Sequence, residues 1–446
     1  MVDKARIQAL TQFAAALRDR PLDPADPDEA KLYVRALHVE TDAQGHEKDP
    51  IAKLARKIER AEGGQHVWLF TGNIGSGKST ELRRLRGLLE DKKHIPILAD
   101  ASDYINLHQE IQISDFLISV SAAFAVEAGK RLGEAGIEAG YWERLRNLLI
   151  NTQITVTETS AKAALPGLTE VDIKAAIRLD PTFKQRLQQH LQAHLSTLRA
   201  EVEIQMAEIV QKLHARYGRD AKIVLLFDSL ERLRGSGEAA DKVFTSLRQM
   251  FTQFHDMLKL PGIQVVYSIP LYLVRLEPQL YALFGDAAFC SLTSAHIFLN
   301  RSRELDEDGL KVIHDIVTAR YPNWRDYLPE TQLDRLVEAS GGDLRDLFRF
   351  LSGVLLELED SEDAEAAVDY VLGQAARILT WITEPNLNRL RTISQTKRIP
   401  RGSQEDMDAL VRDMETKRVL MYLNGDEWYD IHPLLRAYVD SDSAAG

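Results

Sequence analysis

One cysteine, Cys290, stands among 446 residues, which excludes an intramolecular disulfide and any zinc site built on several thiolates. A small buried apolar side chain is the plain role left to it. Long uninterrupted apolar runs are missing as well. The opening segment, MVDKARIQALTQFAAALRDR, breaks every apolar stretch with charge, so it reads as a short amphipathic helix and neither a signal peptide nor a membrane span. No membrane crossing is expected, and the scarce cysteine fits a reducing, cytoplasmic setting. Positive charge is in deficit too: 55 Lys and Arg against 67 Asp and Glu leave a net charge of -12. That balance argues against a protein whose main business is coating nucleic acid, although a local basic patch is compatible with it.

What is present is the composition of folded protein, 45% hydrophobic and 27% charged. The length suits two or three domains. After the first helix, residues 20–28 (RPLDPADPD) carry three prolines, which favour an extended connection, so the core is expected to begin near Leu32. Residues 66–70 (HVWLF) read as a strand running into a glycine loop, and residues 80–90 then take the leucine spacing of a helix. Residues 94–98 (HIPIL) give a second strand and residues 113–128 an amphipathic helix.

Residues 133–218 are longer than a minimal βα unit needs and read as an insertion. Alternation at 154–158 (ITVTE) and 170–175 (EVDIKA) suggests a hairpin around Pro166 and Gly167. Asp180 and Pro181 read as a cap and first helical position, followed by apolar residues from Phe183 to Tyr217 at spacings of three or four. This predicts one helix of roughly 50 Å at about 1.5 Å per residue. His190 and His194 lie on it without a carboxylate constellation and are read as solvated or packing residues. Residues 222–227 (KIVLLF) and 263–268 (IQVVYS) are apolar runs of the kind that form parallel strands buried on both faces. Alternating strands and helices predict a doubly wound parallel sheet with its ligand at the carboxyl ends of the strands. Residues 305–379 are helical throughout, with a break at Gly341 and Gly342. The tail ends in two strands around Asn424 and Gly425, so helices followed by a hairpin predict a winged helix.

The strongest chemical signal is GNIGSGKS at residues 72–79, a full G-x-x-x-x-G-K-[ST] between strand and helix. Gly72, Asn73, Ile74, Gly75, Ser76 and Gly77 would bring backbone N–H groups to a nucleotide's phosphates, with Thr80 following in the helix. Lys78 would reach the β and γ phosphates of ATP, and Ser79 would ligate Mg²⁺. Asp228 closes the apolar run in the way a P-loop enzyme needs for its metal, and Glu231, three residues on, is the candidate general base.

At this point the pattern resembles a known superfamily. LLFDSLERL is similar to the Walker B segment of STAND NTPases of the NACHT type, where an apolar strand precedes D-G-L-D. It departs from the common AAA+ pattern, in which the second acid follows the first directly and where this chain has Ser229. The stretch SGGDLRDL around Arg345 resembles the sensor 2 region of AAA+ proteins, which implies a γ-phosphate contact for Arg345. Ser268 occupies the sensor 1 position, and Arg275 is placed like an arginine finger. His432, in IHPLL, resembles the winged-helix histidine of STAND proteins, which implies a contact to ADP phosphates.

The expected architecture is therefore an α/β, doubly wound, parallel-sheet P-loop NTPase core with a helical insertion, an α-helical lid and a C-terminal winged helix. Its expected parts are residues 1–31, helix and linker; 32–300, ATPase core with the 133–218 insertion; 301–384, lid; and 385–446, winged helix. The resemblance implies an ATPase switch that binds ATP or ADP with Mg²⁺, forms a homo-oligomer in the ATP state, and acts through a separate sensor or effector protein, as bacterial relatives in antiviral defence do. The alternative is an AAA+ machine acting on DNA, of the initiator or transposition type. Against DNA stands the helix at 403–415, where Glu405, Asp406, Asp408, Asp413 and Glu415 face a single Arg412. Arg83, Arg84 and Arg86 are the other basic candidates for a phosphate backbone. A small-molecule P-loop kinase is disfavoured by the lid and by the lack of an acceptor site.

Overall fold

The computed structural model describes residues 4–41, 47–134, 136–151, 185, 187–189, 191, 194–234, 238–292, 294–400, 402–424 and 426–441. Helix α1 (Lys4–Ala16) buries Leu10 and Phe13, with Leu17 just beyond it. Five runs then build one sheet among the described residues: β1 (Val67–Gly72), β2 (Ile95–Asp100), β3 (Ile223–Asp228), β4 (Gln264–Ser268) and β5 (Phe289–Leu292), in the order β2-β3-β4-β1-β5. β1 pairs with β4, β4 with β3, and β3 with β2, all parallel. Every residue of β1, β3 and β4 is buried, as expected of parallel strands covered on both faces. The first four strands match the apolar runs of the sequence. The fifth was not anticipated, because FCSL is short and half of it is only partly buried.

The sheet's chain order matters for function. β4 lies between the P-loop strand β1 and the Asp228 strand β3, with Phe70 beside Ser268 and Asp100 beside Asp228 in register. The C-terminal strand ends therefore gather Asp100, Asp228 and Ser268 along one rim.

The long helix predicted for the insertion is corrected. Residues 185, 187–189 and 191 are helical, but the helix that ends at Tyr217, α4 after α2 (Lys78–Asp91) and α3 (Ile113–Leu132), is separate, begins at Leu195 and has 23 residues, roughly 35 Å. His194 stands at its cap with φ of -121°, accepting from Leu198 and donating to Leu191, so the chain turns there although the leucine spacing continues through it. The hairpin expected near Pro166, the cap at Asp180 and Pro181, and His190 lie outside the described residues.

The chain divides into two compact units, one of residues 51–71 and 82–290, the other of residues 1–50, 72–81 and 291–446. The second unit has a core of its own. Leu10, Phe13 and Leu17 join Phe348, Leu351 and Val354 of α5 (Leu344–Glu357), Val368 of α6 (Ala364–Leu379), and Leu420, Tyr422 and Trp428 of the terminal hairpin. The hairpin consists of β6 (Val419–Asn424) and β7 (Asp426–Ile431), antiparallel, and follows α7 (Glu384–Thr396) and α8 (Gln404–Glu415). Tyr422 and Trp428 face each other in register and stack at 4.4 Å, a cross-strand aromatic pair that fixes the hairpin's inner face. Gly425, assigned to the turn from sequence, is outside the described residues. Among the described residues no helix is long and apolar enough to cross a membrane.

Candidate functional site

The P-loop follows β1 directly and leads into α2, giving the strand, loop and helix that its motif requires. Gly75 has φ of +84°, a left-handed conformation, and a Cβ there would overlap the Asp343 carboxylate. At Gly72 a Cβ would overlap the Leu292 carbonyl. Glycine is thus required at both positions for local reasons, before any ligand is considered.

Lys78 is 4% exposed and its Nζ donates to the carbonyls of Gly72 (3.1 Å) and Asn73 (2.7 Å). The ammonium is held inside the loop by two weak acceptors, a placement from which it can serve phosphate oxygens. Ser76 is buried, and its Oγ has no hydrogen-bond partner among the described residues. Ile74 and Ser79 are half-buried. Thr80 Oγ1 accepts from the Leu22 amide at 3.0 Å, and Tyr33 donates to the next residue, Glu81, at 2.7 Å. The loop's donor set, one buried lysine, an unpaired buried hydroxyl and a helix N-terminus, fits a polyphosphate.

The C-terminal hairpin touches this loop. Asn73 Nδ2 donates to the Met421 carbonyl of β6 at 2.7 Å and to Ser294 Oγ at 3.0 Å. Sequence reasoning placed Asn73 in the loop but had no signal for a bond spanning 348 positions. Below the loop lies a charge cluster that sequence also missed. Lys417 Nζ is 2.9 Å from both Asp343 and Asp346, whose carboxylates are buried, and Asp343 caps α5 by accepting from the Asp346 amide. Burial raises the Asp343 carboxyl above its ordinary value, with the Lys417 ammonium opposing. Burial also raises Asp346, but the neighbouring His432 imidazole and Lys417 outweigh it and hold that carboxyl well below the usual range.

His432 is 1% exposed; its Nδ1 accepts from the Leu434 amide and its Nε2 lies 3.9 Å from Asp346, an electrostatic contact too long for a hydrogen bond. Arg345, at the start of α5, pairs through Nε with Asp19 at 2.5 Å and is partly exposed.

In the other unit, Asp228 is 4% exposed and its Oδ1 accepts from the Ser229 amide at 2.8 Å. Glu231 lies in the following turn, and Ser268 Oγ donates to its Oε2 at 2.7 Å. The structure thus brings the candidate base and the sensor 1 serine together. Arg275 donates to the Tyr281 hydroxyl at 3.3 Å, while Arg83, Arg84 and Arg86 are half-buried on α2. Asp100, the register partner of Asp228, was not singled out from sequence. Its oxygen accepts from the Ser102 amide at 2.9 Å, and its place opposite Asp228 is visible only once the strands are paired.

No protein-family profile matches the chain, and no curated protein matches it in sequence. Among solved structures it is similar to the ORC2 protein of Aeropyrum pernix in its ADPNP and ADP complexes, at 11% identity and a TM-score of 0.39, covering 96% of this chain and 98% of that one. Cdc6p of Pyrobaculum aerophilum aligns at 13% identity and a TM-score of 0.31, covering 88% and 92%. The fold described above rests on the chain's own strand order and pairing.

Proposed function

We propose that this chain is an ATPase of the AAA+ kind, which binds ATP with Mg²⁺ at residues 72–80 and uses hydrolysis to switch conformation. The observation that carries the reading is the bond from Asn73 to Met421. It ties the phosphate loop to the winged-helix hairpin, so a change of nucleotide that moves Asn73 also strains the hairpin's seat. Lys78 would neutralise the phosphates, Asp228 and Ser79 would hold the metal, and Glu231, oriented by Ser268, would take the proton of the attacking water. Arg345 would leave Asp19 for the γ-phosphate, and His432 would contact ADP phosphates. A STAND-like division of labour, with ADP holding the closed form and ATP releasing it for homo-oligomer formation with a separate sensor or effector, rests on the DSLE segment and IHPLL alone.

The second reading, an AAA+ ATPase acting on DNA, gains from the structure of α8. Asp413 is buried against Arg389 at 2.6 Å, and Asp406 accepts from the Ser403 amide at 2.8 Å as part of the helix cap. One of the five acids counted against groove contact, Asp413, is thereby paired within the fold, whereas the Ser403 amide holds the exposed Asp406 carboxyl below its ordinary value, so the charge argument rests on Glu405, Asp406, Asp408 and Glu415.

Isothermal titration of ATP against wild type and Lys78→Ala tests the common core. A loss of affinity of at least about 100-fold with an unchanged circular dichroism spectrum is expected, since roughly two charge-assisted bonds disappear. Unchanged affinity removes the P-loop assignment. Titration of duplex DNA at two salt concentrations separates the readings: a tight complex that weakens steeply with salt supports the DNA-acting enzyme.

A further inference from the structure

Ser229 is the residue at which this chain departs from both Walker B patterns, and its surroundings are unusual in two independent ways. Its φ is +71°, in the left-handed region that glycine enters freely and other L-residues enter only under strain. Its side chain is 0% exposed, yet Oγ has no hydrogen-bond partner among the described residues. A buried hydroxyl without a partner is unfavourable in its own right. Glycine at 229 would relieve both penalties at once, and D-G-L-D, the segment this one resembles, has glycine there. What glycine does not supply is a hydroxyl.

Ser229 lies in sequence between two acids of the strand-end rim. Its own amide donates to Asp228 at 2.8 Å, which anchors the residue to the metal-side carboxylate. Two residues on, in the turn that Ser229 caps, Glu231 receives the Ser268 hydroxyl on Oε2, while its Oε1 has no partner among the described residues. The strained serine therefore stands between the two acids of the rim, on the same short turn as the candidate base.

We infer that the Ser229 hydroxyl binds the water from which Glu231 takes a proton. This rests on the proposed ATPase activity. In that step the water's oxygen bonds to the terminal phosphorus, its proton goes to Glu231, and the bridging P–O bond breaks so that the diphosphate leaves with the bridging oxygen. Ser229 holds the water oxygen in line and undergoes no covalent change.

The test uses the full chain with Ser229→Gly and Ser229→Ala, alongside wild type and Lys78→Ala. Steady-state hydrolysis, ATP affinity and thermal unfolding are measured on all four. Ser229→Gly is expected to melt higher than wild type, because strain and the unpaired hydroxyl both go, while kcat falls about tenfold and KM and ATP affinity stay the same. Ser229→Ala is expected to lose kcat equally without reaching the melting temperature of the glycine variant, since alanine keeps the left-handed strain. A glycine variant that is more stable and hydrolyses ATP at the wild-type rate overturns the inference and leaves the ATPase reading intact. So does a fall in kcat that merely follows a loss of stability. If wild type itself fails to bind ATP in a Lys78-dependent way or to hydrolyse it, the ATPase reading falls and takes the inference with it.

Discussion

The P-loop and the rim at the ends of β3 and β4 hold their polar groups in opposite ways. Around the loop, donors meet acceptors: Lys78 sits on two carbonyls, Asn73 on two acceptors, and Asp343 and Asp346 share Lys417. Along the rim, penalties are left standing, with Ser229 in left-handed backbone, its hydroxyl unpaired among the described residues, and Glu231 half satisfied by Ser268. The first arrangement makes a stable seat whose parts are mutually dependent. The second stores unfavourable energy beside the group expected to do chemistry, which is where strain is useful. The two regions should therefore fail differently when cut, the loop region through stability and the rim through rate.

The largest effect is expected at Lys417. Lys417→Met removes the cation from two carboxylates, one of them, Asp343, fully buried. Breaking one side of a buried ion pair typically costs about 3–5 kcal/mol, so thermal unfolding should fall sharply at neutral pH. The sign with pH is set by Asp343. Its carboxyl is already raised by burial, and without Lys417 it rises further. The folded variant then holds an extra proton relative to the unfolded chain. Its deficit should accordingly be full above that raised value and shrink as pH falls through it. A deficit that stays constant as pH falls would mean that neither the Asp343 nor the Asp346 carboxylate carries it.

Glu231→Gln should leave stability and ATP affinity near wild type and slow hydrolysis at least about 10²-fold, the usual scale of a general base. Single-turnover measurement with ATP and Mg²⁺ checks it. If the variant loses stability in proportion to rate, the rim is behaving like the loop and the contrast drawn above does not hold.

How much of this could be read beforehand depends on the range of the interaction. The P-loop and β1 to β4 were legible because each is encoded within a few residues: a motif or an apolar run. Even the joining of Glu231 to Ser268 was within reach, since both follow strand ends. The fifth strand, FCSL, is too short to stand out, and the break at His194 is hidden because leucine spacing persists on both sides. The Asn73 to Met421 bond and the Lys417 cluster join positions 348 and about 71–74 apart, and no local pattern announces them. Helix α8 carries the same lesson. Its acids counted as charge in the sequence, but burial gives Asp413 to Arg389, and burial also pushes its carboxyl up against that partner's pull.

The smallest expected effect, and the one that bears most directly on the switch, is at His432. Its Nδ1 already serves the turn at Pro433–Leu435 by accepting from Leu434, so part of its role is a cap worth about 1 kcal/mol. Its Nε2 points to Asp346 at 3.9 Å, inside the same cluster that supports Gly75 of the phosphate loop through Asp343. If that nitrogen is the one that meets ADP phosphates, His432→Ala should weaken ADP about tenfold while leaving ATP nearly unchanged, since one hydrogen bond to a charged group is worth about 1.5–3 kcal/mol and reorganisation takes part of it. A residue that only caps the turn predicts something else: a slightly lower melting temperature and equal, small losses for both nucleotides. Titration calorimetry with ADP and ATP on the same variant distinguishes the two, and a second variant, His432→Asn, sharpens the result. Asparagine can cap the turn as histidine does but is too short to carry a donor to where Nε2 stands. Recovery of stability without recovery of ADP affinity in His432→Asn would assign the cap and the clasp to different nitrogens of one ring, whereas recovery of both would leave His432 with the structural task alone.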